Sequence, residues 1–224
     1  NHNPANVSTN GFRADLTAFM SRAVEGPGYA SRAYATTSTV GWSRDSGALM
    51  TTGRDLDVAV NGEGWIAVQG ADGREAYTRA GDLRVDASGQ LRNGSGLAVM
   101  GDSGPLAVPP NASLMVGTDG TISIVPLGQG PETVSSVGRI KLVNPPAETL
   151  ERGTDGLFRL KDGTDAPPEV TVQLATGALE SINVNAASAM VNMIELARRF
   201  DLQVRTMQNA EQNAKVAASL LRVG

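Results

Sequence analysis

Cysteine is absent from the 224 residues, which excludes disulfides, thiolate metal sites and cysteine nucleophiles together. A chain of this kind can cross an oxidising space without becoming cross-linked. Histidine is almost absent too, the single one being His2 at the start of the chain. A zinc site needs several imidazoles or thiolates, and a Ser-His-Asp triad needs a positioned imidazole. His2 therefore reads as a solvated terminal residue, and neither a metal nor a cofactor is expected. Aromatic residues make up only 4% of the chain, so platforms for stacking sugars are few, chiefly Trp42, Trp65 and Tyr77. Basic charge is not in excess. With 19 Lys and Arg against 23 Asp and Glu the formal net charge is −4, and the scattered arginines leave no footprint for nucleic acid. No apolar run approaches the roughly 18 residues of a membrane span. The n-region and h-region of a secretory signal are not seen either. Because the sequence opens on Asn1 rather than Met, an upstream segment is expected to be missing.

Glycine and proline, by contrast, are plentiful, at 26 and 11 residues, and 41% of the chain is hydrophobic. This composition favours a loop-rich β architecture with a real core over a helical bundle. Three zones follow. Residues 1–35 are polar and rich in small side chains, broken by Gly26-Pro27-Gly28, with a short helical signal from Ala14 to Val24. An extended connector follows, rich in Thr, Ser and Gly, and opens a β-rich zone reaching residue 180. Its apolar or alternating runs are Leu56–Val60, Trp65–Gln69, Leu83–Val85, Leu97–Met100, Leu114–Val116, Ile122–Val125, Arg139–Val143, Leu157–Leu160 and Val170–Leu174. Turn pairs separate them: Asn61-Gly62, Asp72-Gly73, Ser88-Gly89, Asn93-Gly94, Asp119-Gly120, Asp155-Gly156 and Asp162-Gly163. Asn-Gly and Asp-Gly suit tight type I′ hairpins, so antiparallel sheet is predicted.

The last zone, 181–224, predicts a long helix. Neither Gly nor Pro interrupts Ala186 to Arg222, and Asn185 is placed to cap it. With Met190 at position a of a heptad, the a positions are Met190, Ala197, Val204, Glu211 and Ala218. The d positions are Met193, Phe200, Met207, Ala214 and Leu221. All but Glu211 are apolar, a coiled-coil-like seam at 3.5-residue spacing, and Ile194 widens it. Such a stripe is too long for its own β domain to cover, so the seam is expected to be completed by another helix. The fold class predicted is mainly β, antiparallel, with a long C-terminal assembly helix.

Catalytic signatures are weak. Gly62 and Gly64 begin a Gly-x-Gly, but Ala67 stands at the third glycine's place and no helix follows, so a hairpin turn is the better reading. Carboxylates are many in the β zone (Asp55, Asp57, Glu63, Asp72, Asp82, Asp86, Asp102, Asp119, Asp155), and two at the correct separation suffice for glycoside hydrolysis. Most stand beside Gly or Ser, where Asp stabilises turns.

Three stretches carry a family resemblance. Ala5-Asn6-Val7-Ser8-Thr9-Asn10-Gly11-Phe12-Arg13 resembles the N-terminal motif of the flagellar rod and hook axial proteins. Leu56-Asp57-Val58-Ala59-Val60-Asn61-Gly62-Glu63-Gly64-Trp65, then Tyr77-Thr78-Arg79-Ala80-Gly81, resembles the start of their β domain. Leu179-Glu180-Ser181-Ile182-Asn183-Val184-Asn185 and Met190-Val191-Asn192-Met193-Ile194 resemble their C-terminal motif. The order and spacing span nearly the whole chain. Val137–Pro145 and Asp155–Leu160 look like the proximal-rod branch rather than the distal rod, and the length leaves no room for the hook protein's outer domain. Pro4 departs from the family pattern, standing where an apolar helical residue is usual.

The resemblance implies a non-enzymatic subunit of the basal-body rod in the periplasm, exported through the flagellar secretion apparatus. It implies polymerisation with itself and with other proximal and distal rod proteins into a torque-transmitting shaft, without small-molecule substrate or membrane insertion. The assembly residues it implies are Asn6, Gly11 and Phe12 near the start, and Met190, Met193, Ile194, Ala197, Phe200, Val204, Met207, Ala214 and Leu221 on the helix. The rival readings are another axial protein, such as the distal rod, and a carbohydrate-binding or carbohydrate-active β domain.

Overall fold

The structure, a computed structural model, describes residues 15–23, 33–42, 46–182, 194–195, 198–210 and 212–213. The chain divides into two compact units, Asn1–Val184 and Asn185–Gly224. At the start of the first unit, β1 (Asp15–Ala23) and β2 (Ala33–Trp42) form an antiparallel hairpin. Its register runs from Asp15↔Trp42 to Ala23↔Ala33, with an irregularity between Leu16 and Thr17. This corrects the helix expected over Ala14 to Val24, and it shows the connector paired rather than bare. A helix of that length is marginal without packing. The facing segment, dense in Thr, Val, Tyr and Trp, offers strand-favouring residues along the whole ladder.

The chain then continues as short strands. They are β3 (Leu49–Thr51), β4 (Val58–Asn61), β5 (Trp65–Gln69), β6 (Glu75–Thr78), β7 (Arg84–Val85), β8 (Leu91–Arg92), β9 (Met100–Gly101) and β10 (Gly104–Pro105). Beyond them lie β11 (Asn111–Val116), β12 (Thr121–Pro126), β13 (Ser135–Arg139), β14 (Leu142–Val143), β15 (Leu150–Arg152), β16 (Phe158–Leu160), β17 (Gln173–Thr176) and β18 (Ala178–Glu180). A five-stranded sheet of order β14-β5-β6-β16-β15 lies at the centre, and β11-β12-β13 form a three-stranded sheet. The last strands return to the first ones: β17 pairs with β4 and β18 with β3, both antiparallel.

Alternation along β5 builds two cores from one strand. Successive side chains of a strand point to opposite faces. Ile66 and Val68 accordingly join a large cluster with Val58, Leu91, Ile122 and Leu142. Trp65 and Ala67 join a smaller one with Tyr77, Leu150 and Phe158. A strand buried on both faces reads as a continuous apolar run, which is why Trp65–Gln69 lacks the alternation of a half-exposed strand. Burial pushes the Tyr77 phenol far above its ordinary titration range, and its oxygen accepts the Ala166 N–H at 2.7 Å.

Among the described residues only glycines have positive φ, so none of the Asp-Gly and Asn-Gly turns is type I′. The turns take a different form. Between β11 and β12, Gly120 N–H bonds to Gly117 O at 3.0 Å and Gly117 N–H to Thr121 O at 2.7 Å, with Gly120 at φ +86°. This is a type I turn closed by a glycine bulge. Paired bonds of the same pattern recur at Gly70–Arg74, Asp86–Gln90, Asn93–Leu97 and Gly153–Leu157. In the Asn93 case the left-handed residue is Gly96, not Gly94 as the dipeptide suggested. The aspartate before the bulge glycine accepts the backbone N–H two residues ahead: Asp119 from Thr121 at 3.0 Å, Asp72 from Arg74 at 3.2 Å, Asp155 from Leu157 at 3.1 Å.

These bonds lower the carboxylate pKa values. For Asp119 the Thr121 hydroxyl is the main cause, and for Asp155 the Arg159 guanidinium. A carboxyl depressed in the folded state adds stability above its unfolded pKa of about 3.9 and loses it as pH falls through the folded value. The melting temperature is therefore expected to stay level from pH 7 to pH 5 and to fall below about pH 4. Asp119→Asn/Asp155→Asn should flatten that acid limb in a thermal-melt series. At Gly64, φ is +121° and a Cβ would stand 2.7 Å from the Val172 side chain. Gly64→Ala should therefore destabilise, by more than the ~0.4–1 kcal/mol that an unhindered glycine-to-alanine change gains, measurable as a lower urea midpoint.

Candidate assembly interface

The approach to β3 and the exit from β18 lie side by side. In the β3–β18 ladder Leu49 faces Glu180, and Ser181 N–H donates to Ala48 O at 2.8 Å. Arg79, just past β6, and Glu180 are each only 2% exposed. Arg79 Nε donates to Glu180 Oε2 at 2.6 Å, while Nη1 and Nη2 reach the carbonyls of Gly64 and Gly62 at 2.6 and 2.8 Å. The other carboxylate oxygen of Glu180 accepts the Gly47 N–H at 2.8 Å. The Arg79 guanidinium also stands 5.9 Å from the Trp65 ring. Trp65 in turn meets Trp42, the last residue of β2, edge-on at 5.5 Å between centroids. Charge, backbone and aromatic surface thus meet at one junction.

In the second unit, residues 194–195, 198–210 and 212–213 are helical. Of the expected seam, Ile194, Phe200 and Met207 are 66%, 62% and 58% exposed, and Val204 is half-buried. Leu202 is also exposed, at 61%. It falls at heptad position f, so the heptad pattern passed over it and the apolar surface is wider than one seam. Met190, Met193, Ala197, Ala214 and Leu221 lie outside the described residues, as do Asn6, Gly11 and Phe12. Among the described residues no helix is long and apolar enough to cross a membrane, and no group of acidic or imidazole side chains is placed to hold a metal.

Two family profiles match the sequence: the flagellar hook protein FlgE/F/G D1 domain over residues 59–124, and the flagellar basal body rod FlgEFG protein C-terminal region over residues 175–220. The flagellar basal-body rod protein FlgF of Escherichia coli strain K12 is 44% identical over 98% of this chain and 89% of its own length. The chain belongs to the FlgF family of flagellar basal-body rod proteins. FlgF of Salmonella typhimurium strain LT2 is 40% identical over the same shares. A basal-body rod protein of another name, FlgG of Buchnera aphidicola from Acyrthosiphon pisum, is 32% identical over 94% of this chain and 88% of that protein.

The FlgF-like motifs acquire a physical reading at the junction. Thr78-Arg79-Ala80-Gly81 and Leu179-Glu180-Ser181 are far apart in sequence but supply the two ends of one buried ion pair. Asn61-Gly62-Glu63-Gly64 supplies the carbonyls that complete the guanidinium. Sequence reasoning quoted these residues as a signature and did not see that they touch. A lone Arg and a lone Glu about a hundred positions apart give no pattern by which to pair them. Removing one partner of a buried pair leaves an uncompensated charge, at a cost of about 3–5 kcal/mol. Arg79→Ala should lower the unfolding free energy by that amount, read as a lower urea midpoint at unchanged m-value.

Proposed function

We propose that the chain is a structural subunit of the proximal rod of the bacterial flagellum, with no chemistry of its own. It joins copies of itself and other rod proteins through its terminal segments, in the periplasm, after export through the flagellar secretion apparatus. Together these subunits form the shaft that transmits torque. Near-full-length identity to FlgF relatives supports the family role. The single observation that supports the working surface is the exposed apolar face of the C-terminal helix, carrying Ile194, Phe200 and Met207. Fully burying a side chain such as Phe or Ile is worth about 1.5–3 kcal/mol, so this face favours a partner over water.

On this reading the seam runs through Met190, Met193, Ile194, Ala197, Phe200, Val204, Met207, Ala214 and Leu221 and packs as a coiled coil. Asn6, Gly11 and Phe12 contribute from the N-terminal segment. Subunits related head-to-tail, by a rotation that does not close, generate an open helix, which suits a shaft. Relatives named FlgG match at lower identity, so the distal rod is the competing place within the same structure.

Complementation tests both points. The gene is expected to restore motility to a strain lacking FlgF and not to one lacking FlgG; the reverse pattern moves the subunit to the distal rod. Phe200→Glu should abolish rod incorporation and swarming while leaving the thermal unfolding of the β unit unchanged. Asn213→Glu, which adds the same charge at heptad position c, off the seam, should have little effect. Normal rods built from the Phe200→Glu variant overturn the helix-face assignment.

A further inference from the structure

We propose that the Arg79–Glu180 pair is a mechanical clip that fastens both terminal segments to the central sheet at one point, so that load entering along them does not peel the β unit open. The mechanical half of this proposal rests on the rod reading; the structural half does not.

Strands β3 and β18 are antiparallel with Leu49 opposite Glu180, so the segment before residue 46 and the segment after residue 182 leave from the same end of the ladder. A pull on both segments at that end acts on the Ser181–Ala48 hydrogen bond and then on the Leu49–Glu180 pair. An unfastened ladder loaded in this way opens one pair at a time, each rupture passing the whole load to the next. β3 is exposed on all its residues and has little packing of its own with which to resist.

Glu180 stands at the place where such peeling would begin. Its carboxylate joins three pieces of chain: its own strand, the Gly47 amide of the incoming segment, and Arg79. Arg79 follows β6, in the middle of the five-stranded sheet, and its remaining donors grip the carbonyls of Gly62 and Gly64. Force at Glu180 therefore passes through hydrogen bonds into the central sheet instead of along the β3 ladder. The close approach is built in from the other side as well. A Cβ on Gly47 would lie 1.8 Å from the Ser181 carbonyl oxygen, so the incoming and outgoing chains run in backbone contact. Trp42 against Trp65 and Phe158 adds an apolar fastening to the same incoming segment, with centroids at 5.5 and 4.8 Å.

An ion pair is a poor choice if stability alone is needed, because well-packed apolar residues in place of a buried pair are often neutral or stabilising. A pair bonded to named backbone groups does something apolar contact does not: it fixes which atoms meet and in what register. That property is required where two segments must leave a domain at a defined position.

Native-state hydrogen exchange on the unmodified chain is the first test. If the clip holds, the Gly47 and Ser181 amides exchange only with global opening, at rates within about tenfold of core amides such as Ala67 and Val99. Exchange of Gly47 and Ser181 hundreds of times faster than those amides overturns the clip. The second test is Arg79→Met/Glu180→Leu, which removes both charges together. Exchange at Gly47 and Ser181 is expected to accelerate at least about tenfold more than at Ala67 and Val99. An equal acceleration at all four sites means that the pair supplies general stability only, and it too overturns the proposal. In cells lacking FlgF, the double variant should restore swimming in ordinary medium and lose it in medium thickened to raise motor load. Undiminished swimming under load, with local exchange accelerated, removes the mechanical role and leaves the rod assignment standing. Failure of the unmodified chain to restore any motility counts against the rod assignment, and exchange then decides the clip by itself.

Discussion

A guanidinium that water cannot reach must find its partners in the protein, and the first unit is arranged around meeting that demand for Arg79. Its donors need acceptors held at hydrogen-bond distance from several directions. The turn between β4 and β5 supplies carbonyls, and the last strand supplies a carboxylate. These groups come from positions about 15 and 100 residues distant from Arg79 in sequence, so satisfying one side chain brings the beginning, middle and end of the unit into register. The tight φ at Gly64, the packing of Val172 against it and the pairing of β18 with β3 all accompany this arrangement.

Much of the β architecture was legible because strands buried on one or two faces leave marks in the order of residues. Trp65–Gln69 was read from its apolar run and is a strand over the same bounds. Ile122–Val125 falls within β12. Beyond β1 and β2, the strands that went unread are β3, β6, β8, β10, β15, β18 and all of β13 but Arg139. They are short, and several carry Arg or Glu, so their positions depend on partners rather than on local composition. Turn positions were legible but turn type was not. Asp-Gly marks both a type I′ turn and a type I turn with a bulge, and only the closing hydrogen bonds separate them. The Ala14 to Val24 segment failed for a related reason, because its strand character comes from what lies across from it.

The candidate interface was legible in a different measure. A heptad count located the exposed apolar residues at 200 and 207, with Ile194 widening the stripe beside them, without reference to any fold, since periodicity is a local property. It missed Leu202, which lies off the repeat. It also could not place Arg79 and Glu180, whose importance exists only once the chain has closed on itself. Family likeness named these two residues, and geometry supplied the reason they go together.

In the β7–β10 region three backbone amides are satisfied in a ring. Leu91 N–H donates to Leu106 O, Val99 N–H to Leu91 O and Leu106 N–H to Val99 O, at 2.9, 2.8 and 2.9 Å. Three passes of the chain close a triangle in which each gives and receives once. A stack of strands ends in a free edge that can recruit a stranger's backbone and seed aggregates, whereas a closed triangle has no end. The amides of Leu91, Val99 and Leu106 are thus spent on one another and offer nothing to a stranger's strand.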